Sequence, residues 1–238
     1  CNSCGYLTNC KFLSKSVKLV FIYVRIWWVM QKSLFESQYD NTPIHLDMLD
    51  ANLKYYPNFI PPLEAAGIMR SLQQEVDWCQ EQITLYGKTF NVPRLQAWYG
   101  DENADYQYSN LSMCPLPWSP ALLELKQKCE NTSNSRFNSV LANLYRNGQD
   151  GMGRHADNEP ELGQQPVIAS LSFGEVRNLD FYHNQTKEKV RLPLVSGSLL
   201  IMSGDTQKYW QHSIAKTKKV LAARVNLTFR YVLNIGRG

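Results

Sequence analysis

The first 29 residues of this chain contain no Asp or Glu, although they carry Lys11, Lys15, Lys18 and Arg25. The whole chain has 25 Lys and Arg against 21 Asp and Glu, a formal charge of +4. With those four basic groups set aside the rest is balanced, which excludes a global positive field; any polyanion contact must come from a local patch. Long hydrophobic runs are also missing. The apolar stretch Val17–Met30 is interrupted by Lys18 and Arg25 and falls short of the about 20 residues a spanning helix needs. It lacks the small-residue cleavage site of a secretory signal, so neither membrane insertion nor export is expected.

A disulfide framework is absent as well. Cys79, Cys114 and Cys129 are odd in number and far apart, which suits a reducing, intracellular compartment: cytoplasmic in a bacterium, nuclear in a eukaryote. Cys1, Cys4 and Cys10 have no nearby histidine to complete a four-ligand zinc site. The chain starts at Cys1, and ordinary polar sequence follows Met30. Residues 1–29 are therefore expected to be a non-native or disordered extension, with Met30 as the start of the protein proper. Internal repeats and low-complexity tracts are absent, and 238 residues can build one sizeable core with a small appended lobe.

The front part, residues 30–135, reads as α/β. A helix is predicted from Pro61, with Leu63, Ile68, Met69, Leu72, Val76 and Cys79 near a 3.6-residue period. Ile83–Tyr86 and Thr89–Val92 flank a turn at Tyr86-Gly87-Lys88. Trp98–Tyr108 reads as a polar, aromatic loop, and Ser119-Pro120 opens a second helix with Leu122, Leu125 and Cys129 on one side. From residue 136 onward the pattern changes to short runs rich in β-branched and aromatic residues: 140–146, 167–173, 178–183, 189–194, 198–202, 208–212 and 223–232. Turn signals such as Asn147-Gly148, Ser196-Gly197 and Ser203-Gly204 separate them. Together they predict an α+β chain ending in a sandwich or jelly roll.

Chemistry concentrates near the end. His155-Ala156-Asp157 and the later His212 supply two imidazoles and a carboxylate, a set that leaves three positions open on ferrous iron. In Arg224-Val-Asn-Leu-Thr-Phe-Arg230, strand alternation puts Arg224, Asn226, Thr228 and Arg230 on one face. Four polar groups on one face make a poor core unless they bind something. Paired guanidinium hydrogen bonds suit the two ends of a small dicarboxylate. Asn143 and Tyr145, again two apart, are placed to point into the same space, whereas His183 reads as surface or structural.

These motifs, with Pro166–Gly174 and Gly197–Met202, resemble the AlkB family of iron- and 2-oxoglutarate-dependent dioxygenases, most closely its DNA-repair homologues, over roughly Leu53 to Val232. The resemblance implies a double-stranded β-helix (jelly-roll) core at 136–238 behind an N-terminal substrate-recognition lid. It implies Fe(II) on His155, Asp157 and His212, with 2-oxoglutarate held by Arg224 and Arg230 and helped by Asn143, Tyr145, Asn226 and Thr228. O2 is the further co-substrate. The implied reaction is oxidative demethylation of 1-methyladenine or 3-methylcytosine in DNA, releasing formaldehyde and succinate. The alternatives are an RNA demethylase and a non-catalytic nucleic-acid-binding module; a monomer is expected.

A cationic methylated base needs aromatic faces and a carboxylate, which Tyr106, Tyr108 and Glu159, with Asn158 alongside, are expected to supply. Tyr86, flanked by Gly87 and Lys88, is expected to wedge into the gap left by a flipped base. Arg94 is expected at the pocket or on a phosphate. Lys216, Lys218 and Lys219, with Lys187 and Lys189, would track a phosphate backbone. Replacing the wedge by Tyr86→Ala should depress demethylation of duplex far more than of single strands; equal losses on the two substrates would exclude it.

Overall fold

The computed structural model describes residues 41–233 except 86, 103, 105, 109, 110 and 114; at 85, 106–108 and 111–113 only the backbone is described. The expected extension at 1–29, its three cysteines, Met30, Tyr86 and Cys114 lie outside the described residues. Fifteen strands appear among the described residues: β1 (Ile44–Leu46), β2 (Asn52–Tyr56), β3 (Gln82–Leu85), β4 (Lys88–Asn91), β5 (Leu95–Gly100), β6 (Tyr106–Tyr108), β7 (Leu111–Met113), β8 (Ser139–Tyr145), β9 (Met152–His155), β10 (Ile168–Gly174), β11 (Arg177–His183), β12 (Lys189–Leu194), β13 (Ser198–Ser203), β14 (Trp210–Ile214) and β15 (Arg224–Arg230). Helices α1 (Pro62–Glu75), α2 (Pro120–Ser133) and the single turn α3 (Thr206–Tyr209) complete the set. None of these helices is long and apolar enough to cross a membrane.

Two antiparallel sheets form the jelly roll. The larger runs β1-β2-β13-β10-β15-β8-β5 and the smaller β12-β11-β14-β9; β3-β4 and β6-β7 are separate hairpins. Both faces of the large sheet are covered. Ala169, Leu171, Val225, Leu227, Phe229, Val140 and Ala142 share one buried cluster with Ala65, Leu72, Leu122 and Leu125 of the helices. The alternate positions Leu141, Tyr145, Ile168, Leu200 and Met202 share a second cluster with Leu179, Phe181, Leu192 and Ile214 of the small sheet. This two-fold period is why every residue of β15 is buried.

The helices follow their sequence signals. Ser119 Oγ caps α2 by accepting from Leu122 N at 3.3 Å, and the helix ends at Asn134, whose φ of 51° is left-handed. In α1 the buried face is Ala65, Met69 and Leu72, so Leu63, expected inside, is 87% exposed on the other side. Three further expectations need correction. Trp98–Gly100 belong to β5 rather than to a loop: Tyr99 packs toward the helices and Trp98 toward the small sheet, with Trp98 Nε1 donating to Ala104 O at 3.1 Å. Lys208 and Tyr209 lie in α3, not in a strand, because Thr206 Oγ1 turns the chain by donating to Ser203 O at 2.6 Å. β9 was not foreseen, since Met-Gly-Arg-His carries no β-branched residue.

The division expected at residue 136 is not a break in the sheet, because β2 pairs with β13 and β5 with β8. Of its two expected places, surface or structural, His183 takes the structural one. It is 1% exposed, stacks on Tyr209, accepts through Nδ1 from Thr186 N at 3.0 Å and brings Nε2 to 3.4 Å from Asp50.

Gly197 joins the large sheet to the chain entering α1: its N–H donates to Ser172 O at 2.7 Å and its carbonyl accepts from Ile60 N at 2.8 Å. Its φ is +80°, and an added Cβ would lie 2.3 Å from Ile60 O. Gly197→Ala should therefore cost about 2 kcal/mol or more in urea unfolding; an unchanged midpoint would contradict this geometry.

Candidate active site

The two histidines are brought together by strand pairing. β9 runs antiparallel to β14 with His155 opposite His212, and the register shifts between His212 and Ile214. Their ring centroids are 4.4 Å apart. His155 Nδ1 lies 2.9 Å from Gly153 O. Since a carbonyl only accepts, Nδ1 carries the proton and Nε2 keeps its lone pair. Burial, then His155 and Arg230, outweigh Asp157 and push the His212 pKa down to about 3, so its imidazole is neutral and able to ligate at pH 7.

Asp157 sits just beyond β9, 1% exposed, its Oδ1 4.0 Å from His155 Nε2. The same oxygen accepts from Arg230 Nη2 at 2.6 Å. Burial alone would raise this carboxyl's pKa, but Arg230, His212 and His155 together hold it below the ordinary value. Among the described residues no three His, Cys, Asp or Glu side chains close into a finished metal-ligand geometry. His155, Asp157 and His212 are neighbours, with the carboxylate turned toward Arg230.

The polar face predicted for β15 exists and faces the small sheet. Asn226 pairs with Asn143 and Arg224 with Tyr145 across β8. Asn226 Nδ2 donates to Ser170 Oγ at 2.9 Å and Leu171 O at 2.8 Å, while Thr228 Oγ1 bonds Asn226 Oδ1 at 3.0 Å. Arg224 is 1% exposed and donates from Nη2 to Ser172 Oγ at 2.9 Å. Its Nε and Nη1 find no hydrogen-bond partner among the described residues. The guanidinium lies 5.1 Å from the Tyr145 ring, and burial lowers its pKa. A cation this deep without a carboxylate partner is costly unless an anion joins it.

One cavity unites these groups: it is lined by His155, Asp157, His212, Asn143, Arg94, Arg224, Asn226, Thr228 and Arg230. Three guanidinium groups thus face a single carboxylate, a balance suited to a dianion. Tyr145 is buried behind Arg224 and does not line the cavity. Arg94 is on the cavity side of its two expected places. It is buried, with Nε donating to Asn143 Oδ1 at 2.7 Å and Nη1 to Gly151 O at 3.3 Å, and so is not a surface phosphate contact.

Of the other expected residues, none whose side chain is described lines this cavity. Asn158 is exposed and Glu159 half-buried, with Glu159 Oε2 enclosed and lacking a hydrogen-bond partner among the described residues. Gly87, at φ +74°, and Lys88 are exposed at the β3-β4 turn. Tyr106 and Tyr108 are in β6, their side chains undescribed. Lys216, Lys218 and Lys219 are exposed on the loop after β14, which is tied to the preceding turn by Thr217 N donating to Gly148 O at 2.8 Å.

Sequence reasoning missed Ser170, Ser172, Gln96 and Gln207. The two serines carried a signal, since they stand two apart in an apolar strand. Gln96, which donates to Asn143 Oδ1 at 3.1 Å, was hidden by the failure to recognise β5. Gln207 gave no signal.

Comparisons agree with this architecture. A family model described as the 2OG-Fe(II) oxygenase superfamily matches residues 52–230. The chain is 42% identical over 193 residues to the alpha-ketoglutarate-dependent dioxygenase alkB homolog 3 of Homo sapiens, covering 77% of this chain and 67% of that protein. It is 41% identical over 181 residues to the DNA oxidative demethylase ALKBH2 of Homo sapiens, covering 71% and 69%. The solved structure of OsALKBH1 superposes with a TM-score of 0.58 at 17% identity, covering 78% of this chain and 99% of that one, which supports the fold. The chain belongs to the AlkB family of 2OG-Fe(II) oxygenases. That membership implies Fe(II), 2-oxoglutarate and O2.

The residues present fit a dicarboxylate, because Arg224 offers two buried donors in search of acceptors. Adding 2-oxoglutarate to the metal-free protein should raise its Tm. Arg224→Met should abolish that rise while leaving the ligand-free Tm nearly unchanged, since an uncompensated buried charge is removed. A rise of the same size in the variant would place the dicarboxylate elsewhere.

Proposed function

We propose that this protein is an oxidative demethylase of alkylated DNA bases, with His155, Asp157 and His212 holding Fe(II) and Arg224 and Arg230 holding 2-oxoglutarate. The observation that carries the reading is the single cavity in which two neighbouring imidazoles, one carboxylate and the partly unsatisfied Arg224 converge. The named relatives supply the substrate class: one is a DNA oxidative demethylase, which this chain resembles at 41% identity.

When bound, iron and 2-oxoglutarate supply, with O2, the oxidising power that hydroxylates an N-methyl group, which is then lost as formaldehyde. The chain supplies the geometry. His155 offers Nε2 because Gly153 O holds Nδ1, and His212 is kept neutral by burial. Arg224 would take one end of the dicarboxylate through Nε and Nη1. Arg230 would hold the other end, and it keeps Asp157 ionised. Asn143, Asn226 and Thr228 line the space between, and Tyr145 supports Arg224 through its ring face. Glu159 presents an enclosed carboxylate oxygen two residues after Asp157 and is assigned to the exocyclic amino group of 1-methyladenine or 3-methylcytosine. Tyr106 and Tyr108 are assigned to stack on the base, and Tyr86 to the gap it leaves. Lys216, Lys218 and Lys219 are assigned to phosphates, giving affinity without sequence choice.

The test is an assay with Fe(II), ascorbate and 2-oxoglutarate on oligonucleotides carrying 1-methyladenine or 3-methylcytosine, single- and double-stranded, DNA and RNA. Methyl loss from DNA with matching succinate is expected, and His155→Ala or Asp157→Ala should lower both by at least about 10³-fold. Undiminished turnover in either variant would rule out the triad, and exclusive action on RNA would reassign the substrate.

A further inference from the structure

Gln207 is 2% exposed yet polar, and it lies outside every group so far given a role. It stands in α3, the single turn that leads into β14 and so into His212. Its Oε1 accepts the backbone N–H of Asp157 at 2.9 Å, fifty residues away in sequence. Its Nε2 lies 3.4 Å from the sulfur of Met202, whose side chain lines the same cavity as the triad.

The turn that carries Gln207 is itself fixed. Thr206 Oγ1 donates to Ser203 O at 2.6 Å and accepts from Asn52 N at 2.9 Å, while Trp210 Nε1 donates to Leu49 O at 2.7 Å. One continuous, anchored segment thus holds the Asp157 backbone at one end and places His212 at the other. Asp157 needs such a hold. It follows β9 outside any strand, so no ladder bond orients its peptide, and its Oδ1 is already drawn to Arg230.

We propose that Gln207 is the positioning residue for the metal-binding carboxylate: by fixing the Asp157 peptide it keeps the side chain within reach of both His155 and Arg230. This rests on the reading of His155, Asp157 and His212 as iron ligands. Groups that orient a ligand from behind, rather than touching the metal, commonly change metal affinity 10- to 100-fold when removed.

The experiment measures Mn(II) binding to the metal-free protein by electron paramagnetic resonance, without 2-oxoglutarate, alongside Tm. Gln207→Met fills the same volume without an acceptor and should weaken Mn(II) binding by about tenfold or more. Gln207→Glu retains an oxygen at the same reach and should bind Mn(II) close to the parent protein. 2-Oxoglutarate affinity, measured separately, should change in neither. Should Gln207→Met fail to fold, Gln207→Asn, one methylene short of the Asp157 N–H, carries the same expectation. Parent-like Mn(II) affinity in the Met variant, or equal losses in the Met and Glu variants, would overturn the proposal while leaving the triad intact. A parent protein that takes up no Mn(II) would remove the triad reading and this proposal with it.

Discussion

Arg230 and Asp157 meet at 2.6 Å across the space between the two sheets, and the site is organised around that contact. Arg230 ends β15, an interior strand of the large sheet, while Asp157 follows the edge strand of the small one. Both are almost wholly buried, so desolvation works against each charge, and the pair is tolerable only because the geometry is close and other donors share the work. It holds the carboxylate ionised, as ligation of a cation would require. Under the proposed function the same contact sets a competition, since Asp157 would serve an arginine and a metal from one side chain.

The large sheet resolves the conflict between core and site by giving each a face. Helices α1 and α2 cover one side with Leu72, Leu122 and Leu125, so the odd-numbered residues of β15 are enclosed by apolar groups. The other side is then available for polar residues. Ser170 accepts from the Asn226 amide, Ser172 from the Arg224 guanidinium and Asn143 from Gln96, while the Thr228 hydroxyl donates to Asn226, as low-dielectric packing demands. Arg224 retains donors beyond what these neighbours accept among the described residues, and so it is well placed to receive an anion.

How much of this was legible depended on whether a segment carried its own signal. β13 did as a continuous apolar run, and β15 by alternating apolar with polar residues; the face of Arg224, Asn226, Thr228 and Arg230 followed from that alternation alone. The triad was visible as a ligand set, but its assembly was not: β9 is four residues without a strand-forming side chain, held by its pairing to β14. Trp98 and Tyr99 misled because polar residues follow them, and only the ladder to β8 shows that the strand runs to Gly100. Gln207 was illegible for a different reason, since its meaning is a hydrogen bond to a backbone atom fifty residues distant.

The complete burial of β15 has a consequence for how this chain can vary. A strand on a solvated sheet usually leaves every second position free to drift, since water accepts almost any side chain. Here there is no such position: Val225, Leu227 and Phe229 are bounded by helix packing, and the residues between them by charge and hydrogen bonding. A change anywhere in the strand is felt either as lost packing or as a mispaired polar group. The segment therefore behaves as a single seven-residue unit, inherited or lost together.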